Sequence, residues 1–169
     1  MNSARKASLT QDNSMTLPDD IYSQRILELA AAIPRTARLA MPEATATAHS
    51  KLCGSTVTVD VAMEGDVVTD YGQKVKACLL GQSAASVMGR EAVGSTAAEL
   101  RAVGAAMRKM LKENGPPPHG KWADLAALET VRDYKARHAS TLLVFDAVED
   151  AIAQIEAKRT EAVRSEAHV

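Results

Sequence analysis

The sequence predicts an α+β domain in which helices pack on a small antiparallel sheet. Polar and apolar residues alternate over residues 56–61, and a turn signal, Glu64-Gly65-Asp66, follows them, as is typical of a β-hairpin. Segments with helical spacing of apolar residues precede and follow this hairpin. Because the strands are grouped together instead of alternating with helices, we expect the helices to cover one face of the sheet.

A first helix is expected between the start signal at residues 18–20 and Pro34, which ends the pattern. Its buried face is predicted to contain Tyr22, Ile26, Leu29, Ala30 and Ile33. Residues 36–50 have no sustained period and include Pro42, so we expect an extended or looped segment there.

The second strand of the hairpin is expected at residues 67–75, and a helix follows at about 79–91. Thr96 and Glu99 have the capping-box spacing that begins a further helix, with Met110 expected on its surface. The buried face of that helix is predicted to contain Leu100, Val103, Met107 and Leu111.

Residues 114–118, an Asn-Gly pair and three prolines, end this helix. A short helix over residues 122–130 should turn Trp122, Leu125 and Leu128 inward. The last helix should begin near Ser140, because serine is a preferred N-cap. Its core stripe is predicted to be Leu142, Phe145, Val148, Ile152 and Ile155.

The chain of 169 residues is long enough for one domain with a substantial core. Residues 1–16 are polar and are predicted to form a disordered arm. Residues 17–157 are predicted to form the single domain, and residues 158–169 a polar C-terminal tail or fraying helix end.

Composition excludes several classes of function. The formal net charge is −1 and only three Tyr, one Trp and one Phe occur, so we expect no nucleic-acid partner. No apolar run suits a signal peptide or a membrane span, and two cysteines make no disulfide framework. We therefore expect a cytoplasmic protein with reduced thiols and no membrane partner. Motifs for hydrolysis or phosphate binding are missing, so we do not expect an enzyme.

The two cysteines are candidate metal ligands. Cys53 lies just before a strand, and Gly54 lets the backbone approach a ligand closely or adopt a positive φ. Cys78 lies between a strand and a helix, where the helix dipole favours the thiolate that binds metal or accepts sulfur. Spacing alone does not separate this role from the ordinary packing of free cysteines.

A set of motifs runs through most of the chain. They are Cys53-Gly54-Ser55 before the hairpin, Asp70 eight positions before Cys78, a Ser/Ala-rich helix start at 83–88, the stretch 123–137, and the opening helix at 21–27. Together, over roughly residues 20–155, they resemble the iron–sulfur cluster assembly scaffold family of IscU, SufU and the N-terminal domain of NifU.

This resemblance implies the NifU N-terminal/IscU-like fold, in which three cysteine positions converge at one exposed end. It implies a scaffold that binds iron or an iron–sulfur cluster. The sulfur comes from a cysteine desulfurase, and the scaffold passes the cluster to apo iron–sulfur proteins. Because SufU-type members also bind zinc at the same site, zinc is a second candidate.

Three departures from the family pattern concern the site. Ser55 stands where the family has the aspartate of Cys-Gly-Asp, and Ser140 stands at the third cysteine position. The Leu-Pro-Pro-Val-Lys segment that a dedicated Hsp70 chaperone recognises in IscU systems is missing. Clusters usually take four thiolates, with His as the common substitute, so the chain offers fewer ligands than the family pattern requires.

Cys53, Cys78 and His138 are the predicted metal ligands, completed by an external ligand or by a cluster bridged between two copies in a homodimer. The alternative for His138 is an exposed histidine just before a helix. His49, four residues before Cys53, is a further candidate, whereas His119 lies in a Pro/Gly loop and should be solvated.

Three hypotheses therefore stay open. The first is the cluster scaffold that the resemblance implies. The second is a cluster-free derivative that binds a desulfurase or a client protein as a regulator, as the replacements Ser55 and Ser140 suggest. The third is a thiol acceptor, in which Cys78 accepts persulfide sulfur or forms a reversible disulfide with Cys53.

Overall fold

The computed structural model describes residues 23–167. Along this range the elements are helix α1 (Gln24–Ala31), strands β1 (Ala44–His49), β2 (Thr56–Glu64) and β3 (Val67–Lys76), helices α2 (Leu79–Glu91) and α3 (Ala97–Lys112), a 3₁₀ helix (Gly120–Asp133), a 3₁₀ turn (Lys135–Arg137) and helix α4 (His138–Ala167). The α+β prediction is confirmed. The predicted arm at 1–16 and the helix start at 18–22, with Tyr22, lie outside the described residues.

The sheet has three antiparallel strands in the order β1-β2-β3. β2 and β3 form the predicted hairpin, in which Glu64 pairs with Val67 across a turn that contains Gly65. The φ of Gly65 is +61°, a conformation that glycine adopts without steric cost. The hairpin is thus confirmed together with its turn.

β1 is the part of the sheet that we expected only as extended or looped chain. It pairs with β2 from Ala44 opposite Val61 to His49 opposite Thr56. Alanines and threonines alternate along it, and Ala44 and Ala46 are buried while the threonines are exposed. Alanine is a weak β-former, so pairing with β2 and packing against α4 determine this strand.

A buried polar network, which we call the Asp60 network, holds the chain before β1 on the sheet. Asp60 is fully buried and accepts hydrogen bonds from Arg38 Nε at 2.6 Å and Nη2 at 3.0 Å. The Leu39 N–H at 3.0 Å and the Thr45 hydroxyl at 2.7 Å complete its partners. Opposite Asp60 in β3, Gly72 has no room for a Cβ because the carbonyl oxygen of Ala37 occupies that space.

α3 begins as the capping box predicts, with the Thr96 hydroxyl accepting a hydrogen bond from the Glu99 N–H at 3.0 Å. Its predicted buried face is confirmed, since Leu100, Val103, Met107 and Leu111 are all buried. Met110 is also fully buried, so its predicted surface position is wrong. The reason is that both α4 and the 3₁₀ helix pack on α3 and cover more of its surface than one stripe.

The segment predicted as a short helix at 122–130 is a 3₁₀ helix of 14 residues. Every third residue of it is buried: Trp122, Leu125, Leu128 and Val131. With three residues per turn, side chains three apart lie in one row, and this row packs on α2 and α3. The inward residues are confirmed, although the type of helix differs from an α-helix.

α4 is 30 residues long and begins at His138, so Ser140 is not its N-cap. The 3₁₀ turn runs directly into α4, and the Ser140 hydroxyl donates back to the Arg137 carbonyl oxygen at 3.2 Å. The predicted core stripe is confirmed, because Leu142, Phe145, Val148, Ile152 and Ile155 are buried. The predicted tail is helical as far as Ala167, and no helix within residues 23–167 is long and apolar enough to cross a membrane.

Candidate functional site

The two cysteines and Ser140 come together at one end of the sheet, which we call the thiol end. Cys53 lies in the loop between β1 and β2, and Cys78 follows the end of β3. The register places these strand ends side by side, since Thr56 pairs with both His49 and Lys76. The first turn of α4 brings Ser140 to the same place.

The loop over residues 50–55 presents Cys53 to solvent. The Ser50 N–H donates to the Ser55 carbonyl oxygen at 2.9 Å, and the Gly54 N–H donates to the Ser50 carbonyl oxygen at 2.9 Å. Gly54 has φ +71°, which fits the role expected of a glycine beside the thiol. These bonds close the loop at its base and leave Cys53 exposed at its tip.

The Cys53 thiol is surrounded by serine hydroxyls. Its Sγ lies 3.0 Å from Ser55 Oγ. The hydrogen bond with the Ser55 hydroxyl and the nearby Ser50 hydroxyl outweigh the opposing effect of burial and lower the pKa of Cys53 from 9.0 to about 7. The Ser140 hydroxyl contributes in the same direction. The lowered pKa increases the thiolate fraction of Cys53 at neutral pH, and thiolate is the form that binds metal.

Cys78 is half-buried and stands at the N-cap position of α2, as predicted. Its Sγ makes no capping hydrogen bond and lies 3.5 Å from Ser140 Oγ. Gly81 makes this approach possible, because a Cβ there would lie 2.9 Å from the Ser140 carbonyl oxygen. Sequence reasoning missed Gly81, although a glycine inside a helical segment is a signal for close packing.

Ser140 lies near both cysteines, because its hydroxyl is 3.5 Å from Cys78 Sγ and helps to lower the pKa of Cys53. The convergence of three positions that the resemblance implied is therefore present, with a hydroxyl at the third position. Ser55 likewise places a hydroxyl where the family pattern has a carboxylate. The site consists of two thiols and the hydroxyls that contact them.

His138 is turned away from the thiols. Its Nε2 lies 3.1 Å from the Val131 carbonyl oxygen and 3.0 Å from that of Arg132, so Nε2 carries the proton and donates. Two residues correspond to about 200° around an α-helix, which places His138 and Ser140 on opposite sides of α4. His138 is only 7% exposed, so the alternative of an exposed histidine is wrong as well.

The other candidate histidines also differ from the cysteines in their surroundings. His49 is exposed at the end of β1, and His119 is exposed in its loop, as expected. Within residues 23–167, no group of three or more His, Cys, Asp or Glu side chains is arranged to hold a metal ion. A metal at the thiol end would therefore need ligands beyond those of one described chain.

The charge of the thiol end is positive. The three segments that build it, residues 44–59, 71–90 and 134–145, contain no aspartate or glutamate, although the chain has 21 acidic residues. The basic side chains of these segments near the thiols are Lys51, Lys74, Lys76, Lys135 and Arg137, whereas Arg90 lies in the last turn of α2 and pairs with Glu91 and Asp124. This distribution favours an anionic group over a free cation.

One solved structure is similar to this chain over the whole domain, that of a nitrogen-fixing NifU-like protein (N-terminal) from Brucella abortus. The sequences are 62% identical, the TM-score is 0.82, and the match covers 83% of this chain and 97% of that one. The chain belongs to the NifU-like family. This confirms the predicted membership of the IscU, SufU and NifU N-terminal scaffold family and the predicted fold.

A second solved structure shares the NifU-like fold at lower identity. It is described as an iron–sulfur cluster assembly scaffold protein for the SUF system from Fervidobacterium islandicum AW-1. The sequences are 20% identical, the TM-score is 0.71, and the match covers 78% of this chain and 96% of that one. No family model and no curated protein matches the chain.

Proposed function

We propose that this NifU-like chain is a scaffold for iron–sulfur cluster assembly. It would bind iron or a cluster through Cys53 and Cys78, with sulfur from a cysteine desulfurase, and pass the cluster to apo iron–sulfur proteins in the cytoplasm. The observation that carries the proposal is that both cysteines lie at the same end of the sheet as Ser140, in a chain 62% identical to a NifU-like protein. The role is binding and transfer and requires no enzymatic activity.

The thiol end suits an iron–sulfur cargo in charge and in ligand type. Cys53 is exposed and its pKa is lowered to about 7, which reduces the cost of losing its proton when it binds iron. A cluster with thiolate ligands is an anion, which agrees with the basic segments around it. We leave His138 out of the ligand set because its Nε2 donates to two carbonyl oxygens.

Metal analysis after anaerobic purification tests this proposal. Iron, zinc and acid-labile sulfide per chain are measured in the wild type, in Cys53→Ser and in Cys78→Ser. We expect iron together with sulfide in the wild type and loss of both in each cysteine variant. His119→Gln, which changes an exposed histidine in a loop outside the three segments of the thiol end, is the control and should keep the wild-type content.

Several results would contradict the proposal. One is a wild type that holds no iron and sulfide even after reconstitution with a desulfurase and cysteine. Another is wild-type iron content in both cysteine variants. Zinc without sulfide, lost in both variants, would replace the cluster by a zinc site whose remaining ligands come from outside the chain.

A regulator without a cluster is the second candidate, and the hydroxyls of Ser55 and Ser140 at two ligand positions favour it. It predicts that metal-free protein captures a cysteine desulfurase as well as loaded protein does. Capture that depends strictly on bound cluster would count against it.

A persulfide acceptor is the third candidate. The sequence indicated Cys78 as the acceptor, whereas the exposure of Cys53 and its pKa of about 7 favour Cys53. Incubation with a desulfurase and cysteine should then add the mass of one sulfur atom to a cysteine peptide. Peptides without added sulfur, under conditions in which the desulfurase carries its own persulfide, would eliminate this role.

A further inference from the structure

We infer that the outer edge of β1 binds an extended segment of another protein through backbone hydrogen bonds, as an added strand of the sheet. The segment carries acidic side chains on its face turned away from α4 and basic side chains on its face turned towards α4. It docks on the half of the edge that leads into the Cys53 loop. The pairing needs no bound metal, so it goes beyond the proposed cluster chemistry.

The hydrogen-bond register shows which backbone groups of β1 point outward. The Ser50 N–H donates to the Ser55 carbonyl oxygen at 2.9 Å, and this pair continues the register of β1 with β2. In an antiparallel ladder, such bonded pairs recur at every second residue. The N–H and C=O groups of residues 44, 46 and 48 therefore point to β2, and those of residues 45, 47 and 49 point away from it.

Helix α4 covers only the first half of this outer edge. Gln154 donates to the Thr45 carbonyl oxygen at 3.1 Å, and Lys158 donates to the Glu43 carbonyl oxygen at 2.6 Å. The bond to Thr45 agrees with the outward direction of its carbonyl. Both bonds lie at the beginning of β1, which is the end of the strand away from Cys53.

The second half of the edge is open. Within residues 23–167, the outward N–H and C=O groups of Thr47 and His49 have no hydrogen-bond partner. Edge strands are commonly protected by lysine or proline, and the sequence of β1, Ala-Thr-Ala-Thr-Ala-His, contains neither. The open groups recur at every second residue, which is the spacing at which another extended chain presents its own donors and acceptors.

Basic groups surround the open half on the face of the sheet away from α4. His49 is opposite Thr56 in β2, and Thr56 is opposite Lys76 in β3. Lys51 follows in the loop, and residues 44–59 contain no aspartate or glutamate. An acidic side chain of the incoming segment beside His49 would therefore lie among basic groups of the sheet.

The other face of the incoming segment would meet an acidic group. Gln154 and Lys158 are four positions apart and lie on the same side of α4, and Asp150 is the next position of this row towards the thiol end. Asp150 is exposed and forms no ion pair with a described residue. Because successive residues of a strand point to opposite faces, a basic side chain next to the acidic one suits this position.

A second copy of β1 fits the edge less well than such a segment. Two β1 strands paired antiparallel about Thr47 would place Thr45 of one copy opposite His49 of the other. Gln154 already occupies the Thr45 carbonyl oxygen that this pairing needs. The same arrangement would bring the Asp150 carboxylates of both copies towards the two-fold axis, where like charges repel.

A synthetic peptide with free access to the edge tests the inference. The probe is Glu-Lys-Thr-Val-Glu-Lys-Thr with blocked ends, which carries its acidic residues on one face of a strand and its lysines on the other. It is titrated into iron-free full-length protein, and amide hydrogen exchange is followed by NMR. We expect exchange at Thr47 and His49 to slow about tenfold at saturation, because pairing protects their N–H groups. Unchanged exchange at both residues would overturn the inference.

A modified peptide is the control for backbone pairing. The same sequence with N-methyl groups on its third and fifth residues keeps the charges but loses the donors that face β1. It should bind about tenfold more weakly than the unmodified peptide. Equal affinity of the two peptides would show that side chains alone hold the segment, which would overturn the inference.

Thr47→Pro and Thr47→Val are a matched pair of variants. Both lose the Thr47 hydroxyl and its 2.8 Å contact with the Thr58 hydroxyl, but only the proline variant also loses the outward N–H. Since pairing with β2 does not use that N–H, both variants should keep the circular dichroism spectrum of the wild type. Thr47→Pro should bind the peptide about tenfold more weakly than Thr47→Val. Equal affinities in the two variants would place the peptide elsewhere and overturn the inference.

Asp150→Lys tests the charge of the face towards α4. The original peptide should prefer the wild type, and a peptide with glutamate in place of both lysines should prefer Asp150→Lys. The same preference for both proteins would overturn the assignment of the two faces. Light scattering that shows an iron-free wild-type dimer, dissociated by Thr47→Pro, would make a second copy the occupant of the edge and overturn the inference.

Discussion

The Asp60 network and the thiol end lie on the same three-stranded sheet, but their polar groups differ in burial and in hydrogen-bond partners. Asp60 is fully buried and its two oxygens accept four hydrogen bonds. Cys53 is exposed, and its sulfur forms a hydrogen bond with the Ser55 hydroxyl. All hydrogen-bonding capacity that Asp60 uses is met by strong donors, whereas the hydrogen bond of the Cys53 thiol is weak enough for a metal to displace it.

This difference shows how the two regions divide structure and function. A buried carboxylate that lost its partners would destabilise the fold, so the Asp60 network is complete. A thiol that is to bind and release a cluster must not be held strongly by the protein itself. The four predictions below test this division, beginning with the largest expected effect on stability.

The largest effect is expected for Asp60→Asn. The variant places an amide NH₂ group against the Arg38 donors and removes the charge that they face, which should lower the free energy of unfolding by about 3 kcal/mol. Urea denaturation followed by circular dichroism measures the change. Asp70→Asn is the control, because Asp70 is more than half exposed and its ion pair with Arg35 is worth at most about 0.5 kcal/mol. Equal losses in both variants would contradict a special role for the Asp60 network.

Acid should weaken the same network. Burial raises the pKa of Asp60, but hydrogen bonds from Arg38, Thr45 and the Leu39 N–H outweigh it and hold the pKa below its ordinary value of 3.8. The carboxylate therefore stabilises the fold fully above about pH 4, and this contribution is lost as the pH falls through the lowered pKa. Below pH 4, the urea concentration at the unfolding midpoint should decrease with pH in the wild type. It should decrease less steeply in Asp60→Asn. An equal pH dependence of stability in both proteins would show that other carboxyl groups cause the acid effect.

A smaller loss of stability is expected for His138→Gln. The imidazole donates to the carbonyl oxygens of Val131 and Arg132, and the loss of this contact should cost about 1 kcal/mol. Because His138 faces away from Ser140, iron and sulfide per chain should not change. Loss of iron at unchanged stability would return His138 to the ligand set.

The smallest effect on stability, but a clear effect on reactivity, is expected for Ser55→Ala. The Ser55 hydroxyl is the strongest of the groups that lower the pKa of Cys53, so the variant should shift the midpoint of Cys53 alkylation from about pH 7 towards 9.0. Iodoacetamide rates between pH 6 and 10, read by peptide mass spectrometry, measure this shift. Ser140→Ala should shift the midpoint less, because its hydroxyl contributes least among the serines. Identical profiles in all three proteins would refute the role of the hydroxyls.

Local patterns predicted the hairpin, the start of α3 and the core stripe of α4, because each depends on neighbours in sequence. β1 escaped prediction although its Ala-Thr alternation was visible, because alanine gives little β signal of its own. The spacing of three in residues 122–131 is the 3₁₀ period, yet three buried residues at that spacing also fit an α-helix.

At the thiol end, the resemblance identified both cysteines and the replaced third position from sequence. The direction of His138 could not be predicted, because an earlier start of α4 turns Ser140 and His138 to opposite sides of the helix. The effect of the serine hydroxyls on the pKa of Cys53 could not be predicted either, because Ser50, Ser55 and Ser140 come from two distant segments.

The sequence alone thus determined the family membership, the number of thiols and the basic residues near them. Composition and motif spacing are properties of the chain and do not depend on its folding. The folded arrangement set which side chains meet those thiols. Packing of α2 on α4 at Gly81 brings Cys78 to Ser140, and the closed loop over residues 50–55 brings Cys53 to the Ser55 hydroxyl. Contacts between segments that are far apart in sequence depend on this packing, and no local pattern encodes them.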